Sequence, residues 1–222
     1  MTGVQTCALP IYKVDSKSLM GSGYMKGFTL SLYEEFEITP TSVYVGFGYC
    51  EPESDNCAIF TLALNADGMV RKYILNVCTA EGDIEMYADA ISWFYAMYVN
   101  ELTQPKPSAA GIRQVLNKYC TKAFAKQLQN ETLKKNLLLG SAQFDYRWLR
   151  SLEVHNMDTA TCTCIVNYKR ADGKVIYKRI HLQLKRGSDD EYLISGVSDA
   201  DAGDLEAMSQ DGDENVESSP TE

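Results

Sequence analysis

Four runs between residues 12 and 81 alternate apolar and polar positions with a period near two: GFTLSLYEEFEI, SVYVGFGYC, CAIFTLALN and MVRKYILNVC. Their β-branched and aromatic content predicts strands. Asp67-Gly68 separates the last two, and an Asp-Gly pair between alternating apolar positions predicts a hairpin turn. In CAIFTLALN, Ile59, Thr61, Ala63 and Asn65 share one face, and Phe60, Leu62 and Leu64 the other. The four runs predict an antiparallel meander. A sheet this small needs a cover over its apolar face.

The period changes after Gly82. Asp83 is a natural N-cap. Ile84, Tyr87, Ala88, Ile91, Phe94, Tyr95, Tyr98 and Leu102 then follow helical spacing, which Pro105 and Pro107 stop. Ser108 caps a second helix with Ile112, Val115, Leu116 and Tyr119 on one stripe. The run TLKKNLLL predicts a third, ending at Gly140.

From Trp148 the period returns to two. The runs LRSLEVHN, TATCTCIVNYKR, KVIYKRIHLQLKR and EYLISGV are separated by the turn-forming NMD, ADG and GSDD, which predicts a second meander. Ala160, Cys162, Cys164, Val166 and Tyr168 share a face, as do Ile176, Ile180, Leu182 and Leu184, and these faces form the expected core. The expected fold class is α+β. An N-terminal antiparallel β meander precedes a cone-like domain of three helices packed on a curved antiparallel sheet. The expected divisions are a β-rich region over 12–81, the α+β domain over 82–198 and an acidic tail over 199–222.

Charge separates the tail from the rest. The net charge is -9, and the tail alone holds nine carboxylates with no Lys or Arg. Its composition predicts disorder. The remaining residues are neutral overall, so no excess of basic charge meets phosphates, and nucleic acid is excluded as a partner. Residues 12–84 carry ten acidic and five basic residues; residues 85–198 carry eleven and sixteen. The two regions are therefore expected to dock against each other. No run is apolar for long enough to predict a transmembrane helix.

Cysteine spacing shows no metal-ligand pattern, so neither a metal nor another cofactor is expected. Cys50 and Cys57 flank EPESDN and fit a hairpin-closing disulfide; two free thiols in a reducing compartment are the alternative. Cys162 and Cys164 point the same way along one strand and read as small core residues.

Residues Thr2 to Ile11 resemble the translation of a common sequencing-library adapter. Residues 1–11 accordingly read as a cloning scar, which places the true N-terminus and any export signal upstream. A second resemblance rests on WFYAMYV, LNKYCTKAFAKQL, FDYRWL and the closing YLISGVSD. These stretches resemble the nuclear transport factor 2-like superfamily, and within it the bacterial domain of unknown function 3828, over about residues 83–199. The resemblance implies a cone-shaped α+β barrel and an exported bacterial protein, placed in the periplasm or at the cell surface. It implies no established activity.

A cone of this kind can enclose an apolar pocket. Candidate lining residues are Trp93, Tyr95, Tyr98, Asp145, Tyr146 and Trp148. Asp145, His155 and His181 are the groups to weigh for proton transfer. Both histidines fall opposite apolar neighbours and read as surface residues, and Asp145 reads as a partner of Arg147 or Arg150. No catalytic constellation results. Three readings stand in order: an exported, non-catalytic module binding a small apolar ligand or a protein; a small pocket enzyme of the isomerase or dehydratase kind; and a cytoplasmic adaptor using the acidic tail. Self-association through the sheet as a homodimer accompanies the first.

Overall fold

The computed structural model describes residues 15–20, 25–54, 57–78, 85–129, 136–139, 152–156, 160–169, 175–188, 191–198 and 205–206. After a short helix, α1 (Ser16–Met20), come β1 (Thr29–Ile38), β2 (Ser42–Cys50), β3 (Cys57–Asn65) and β4 (Val70–Cys78). Helices α2 (Glu85–Leu102), α3 (Ala109–Tyr119) and α4 (Lys122–Leu128) follow. The chain then adds β5 (Leu152–Asn156), β6 (Thr161–Lys169), β7 (Val175–Arg186) and β8 (Tyr192–Ser198).

These eight strands form one sheet in sequence order. Neighbours are antiparallel except β4 and β5, which run parallel from Leu75 beside Leu152 to Cys78 beside His155. Parallel neighbours need a long crossover, and the three helices lie within it. The N-terminal meander is therefore continuous with the C-terminal one. A two-residue strand, β9 (Leu205–Glu206), pairs with β7, within the segment whose composition predicted disorder.

Turn chemistry follows the sequence. Gly68 has φ +88°, a conformation that favours glycine, and its N–H reaches the Asn65 carbonyl at 2.9 Å. The Ser108 hydroxyl accepts from the Gly111 N–H at 3.1 Å, capping α3.

The third helix differs from its expected place. It is α4, and the described part of TLKKNLLL, Asn136–Leu139, forms a turn. The Asn136 side-chain oxygen accepts from the Leu138 and Leu139 N–H groups at 2.9 and 3.2 Å, an Asx arrangement that competes with helix. The run LNKYCTKAFAKQL breaks at Cys120, which turns extended (φ -120°, ψ 153°) and bridges to Ile194 of β8. The Thr121 N–H then donates to the Ile194 carbonyl at 2.9 Å, and Thr121 caps α4.

The main core joins both halves of the sheet to the helices. Tyr44, Ala63 and Tyr73 of the first meander pack in one cluster with α2, α3 and α4 and with Val154, Cys162, Cys164, Ile180, Leu182 and Ile194. Helix α2 is the cover that the first meander needs. Every side chain from Phe94 to Glu101 is buried, as expected for a helix enclosed on all sides.

Candidate functional site

Rings fill the space between helices and sheet. Phe94 stacks on Tyr98 at 5.4 Å between centroids and meets Tyr95 edge-on at 5.5 Å. Tyr95 and Tyr98 are fully buried. The Tyr95 hydroxyl donates to the Leu138 carbonyl at 3.3 Å, and the Tyr98 hydroxyl accepts from Asn136 Nδ2 at 2.9 Å. Trp93 is half-buried against the same cluster. A cavity of about 10 Å³ lies among Ala90, Ile91, Tyr119, Leu184 and Tyr192; it has room for about one water. Trp93, Tyr95 and Tyr98 do not line it. Asp145, Tyr146 and Trp148 lie outside the described residues.

Burial governs the titration of this interior. It pushes the Tyr95 hydroxyl well above its ordinary range, with the neighbouring Cys164 adding to the effect. Burial also raises the Cys164 thiol, and Cys162 raises it further. The Cys120 thiol is pushed up to about 12 by burial. Cys120, Cys162 and Cys164 are free and buried, and the raised Cys120 and Cys164 thiols are protonated at neutral pH and are poor nucleophiles.

A second cluster clamps the end of α2 to the first meander. The Glu101 carboxylate is fully buried and accepts from Thr39 Oγ1 and Thr41 Oγ1 at 2.6 Å each and from the Tyr44 hydroxyl at 2.8 Å. Asn100, also fully buried, donates through Nδ2 to Ser42 Oγ, Tyr44 Oη and Asn65 Oδ1 at 3.1, 2.9 and 2.8 Å. Its Oδ1 accepts from the Tyr73 hydroxyl at 3.2 Å. Burial raises the Tyr44 hydroxyl far above the usual tyrosine range, and the Glu101 charge adds to this. The cluster joins the β1–β2 turn, the end of β3 and the end of α2, and the described cavity does not reach it. It is a structural clamp. Its sequence signal is an uncharged helical run, WFYAMYVN, ending at a glutamate: a helix buried on all sides must supply partners for its polar residues.

The opposite face of the first meander is apolar and partly open. The register aligns Leu32, Phe36 and Ile38 of β1 with Phe47, Val45 and Val43 of β2. Those in turn face Phe60, Leu62 and Leu64 of β3. Leu19 and Met20 of α1, with Phe28 and Leu30, cover the part around Tyr49, Phe60 and Leu62. The rest is uncovered: Leu32, Phe36, Ile38 and Val70 are 68, 64, 54 and 45% exposed. They present on the order of 400 Å² of apolar surface, about the size of the largest patch on an ordinary monomer, which is often functional. Strand β1 is also an edge of the sheet. Near its end α3 reaches it, with Gln114 donating to the Ile38 carbonyl and Lys118 pairing with Glu37.

His181 is half-buried on the face opposite Ile180 and Leu182, and its Nδ1 lies 3.0 Å from Thr163 Oγ1. Cys50 is disulfide-bonded, and Cys57 is its register partner in β3. Among the described residues, no three His, Cys, Asp or Glu side chains come together as metal ligands, and no helix is long and apolar enough to cross a membrane.

No family model and no curated relative matches the chain. A solved structure titled "Ntf2 like protein involved in plasmid conjugation" aligns over 76% of this chain and 75% of its own, at 12% identity and a TM-score of 0.27. So loose a superposition leaves the architecture to be read from this chain's own strands and helices.

Proposed function

We propose that this chain is a non-catalytic protein-binding module of the nuclear transport factor 2-like kind, and that its binding surface is the open apolar face and edge of β1. The observation that carries this is the exposure of Leu32, Phe36 and Ile38 on an edge strand, beside an interior packed with rings. An edge strand offers unpaired backbone groups to an incoming strand, and the apolar row gives that strand something to pack against.

The partner we propose is an extended segment alternating apolar and basic residues. Strand β1 contains Glu34, Glu35 and Glu37, the last already paired with Lys118, and no Lys or Arg. A second copy would bring like charges opposite one another, which is unfavourable across strands. A basic strand meets complementary charge.

The order of three helices before an antiparallel sheet supports the superfamily reading, and the local stretches ending in YLISGVSD support domain of unknown function 3828. Export to an oxidising compartment of a bacterium is part of the proposal. The Cys50 disulfide supports it, because such bonds persist outside the reducing cytosol. Cys57, facing Cys50 in the ladder, is the partner we assign.

The test is a titration of the full chain with a synthetic eight-residue peptide alternating lysine and valine, followed by backbone amide shifts. Shifts concentrated at Thr29–Phe36, absent with a glutamate–valine peptide, are the expected result. Shifts confined to α2 and the cavity residues contradict the surface. A chain that is already dimeric through β1, as shown by sedimentation, replaces the proposed partner with a second copy.

A further inference from the structure

The edge of β1 is already in use at one end. Thr39 donates its N–H to the Ser42 carbonyl at 2.9 Å, so the backbone of its neighbour Ile38 turns outward, away from β2. Gln114 of α3 donates from Nε2 to that Ile38 carbonyl. One helical turn further on, Lys118 pairs with Glu37. The two side chains lie on one side of α3 and meet two successive residues of β1. Toward the other end of the strand the register with β2 shifts between Leu32 and Phe36, which separates Thr29–Leu32 from the held end.

These contacts copy what an incoming strand would supply. A strand added at this end needs the Ile38 carbonyl as an acceptor, and Gln114 holds it. Side chains alternate along β1, so Phe36 and Ile38 stand on the apolar face and Glu37 on the opposite one. An added strand alternating apolar and basic residues lays its apolar side chains beside Phe36 and Ile38 and its basic ones beside Glu37. Lys118 occupies that second place. Gln114 and Lys118 are both exposed, so either can swing into water without opening the core. An exposed ion pair of this sort is weak, and a partner carrying its own cation can displace it.

We propose that Gln114 and Lys118 form an intramolecular latch that competes with the partner for the Glu37–Ile38 end of β1, confining a docked strand to Thr29–Phe36 until the latch is displaced. The latch rests on the reading of β1 as the binding edge, and it names the groups that a partner must displace there.

The experiment titrates the full chain with the lysine–valine peptide, in the parent and in a variant carrying Gln114→Ala and Lys118→Ala, reading affinity and backbone amide shifts. The variant is expected to bind at least about threefold more tightly, with shifts that extend from Phe36 through Ile38. Gln114→Met with Lys118→Met keeps the bulk of both side chains without the donor or the charge, and replaces the alanine pair should that fail to fold. Lys122→Ala removes the same charge from an exposed position on α4 and is expected to leave the affinity within about twofold of the parent. A smaller gain in the latch variant, shifts that still stop at Phe36, or an equal gain from Lys122→Ala overturns the latch and leaves β1 as the binding edge. Absence of peptide binding by the parent and by every variant overturns the β1 reading itself, and the latch with it.

Discussion

Gly111 of α3 lies against the carboxylate of Glu101: a Cβ at that glycine would stand 2.2 Å from Oε2. The approach of α3 to the end of α2 is set by the absence of a side chain at this position. Because the same carboxylate binds Thr39, Thr41 and Tyr44, the contact ties the helices to the β1–β2 turn.

Gly111→Ala is therefore expected to destabilise the fold by about 1–3 kcal/mol, the usual cost of overpacking. Either α3 shifts or Glu101 leaves its three hydroxyl donors. Urea unfolding of the variant beside the parent reads the difference, and an unchanged midpoint contradicts the close approach.

Asn100→Ala removes the residue that links Ser42, Tyr44, Asn65 and Tyr73. Several buried polar groups lose a partner at once, and each such loss costs about 1–3 kcal/mol. The expected loss is at least about 3 kcal/mol in equilibrium unfolding. A loss under 1 kcal/mol means that the clamp is not formed in solution.

Alkali should weaken the fold through its buried acids. The Cys120 thiol is held up to about 12 by burial, and the Tyr44, Tyr95 and Cys164 groups are also raised. In the unfolded chain a thiol ionises near 8.5 and a phenol near 10. Above those values the unfolded state has lost protons that the native state keeps, so stability is full below about pH 8.5 and falls as pH rises toward 12. Replacing Cys120 with alanine is expected to flatten the slope between pH 9 and 11 by up to about 1.4 kcal/mol per pH unit. Chemical unfolding at several pH values measures it, and equal slopes contradict the burial of this thiol.

The helix cap gives a smaller effect. Ser108→Ala is expected to cost about 1 kcal/mol, because the Gly111 N–H loses its side-chain acceptor. The thermal midpoint reports it, and Ser108→Asp is expected to restore most of the loss.

Much of this architecture was legible in the alternation of residues. The strands around Val43, Phe60 and Ile180, the Asp67-Gly68 turn and the Ser108 cap all follow from local rules. Cys162 and Cys164 share the buried face that their spacing predicted. What was not legible depends on contacts distant in sequence. The break at Cys120 needs Ile194, over seventy positions away, to offer its carbonyl. The parallel pairing of β4 with β5 joins two meanders that read as separate runs. The contact of Gln114 and Lys118 with β1 exists only once α3 lies beside that strand. Tyr95 and Tyr98 could line a pocket, but an aromatic stripe on the apolar side of a helix is more often core, and packing against Phe94 put them there.

The surface that binding requires is tested most directly by changing it without disturbing the core. Leu32→Lys and Phe36→Lys together place charge on an exposed row, and are expected to leave the unfolding midpoint within about 0.5 kcal/mol of the parent, as surface changes usually do. Titrating the parent and this double variant with the lysine–valine peptide is the decisive comparison. The parent is predicted to bind one peptide per chain, and the variant at least tenfold more weakly. Equal affinity in the two proteins, with both fully folded, would contradict the claim that the face of β1 is where this chain meets its partner.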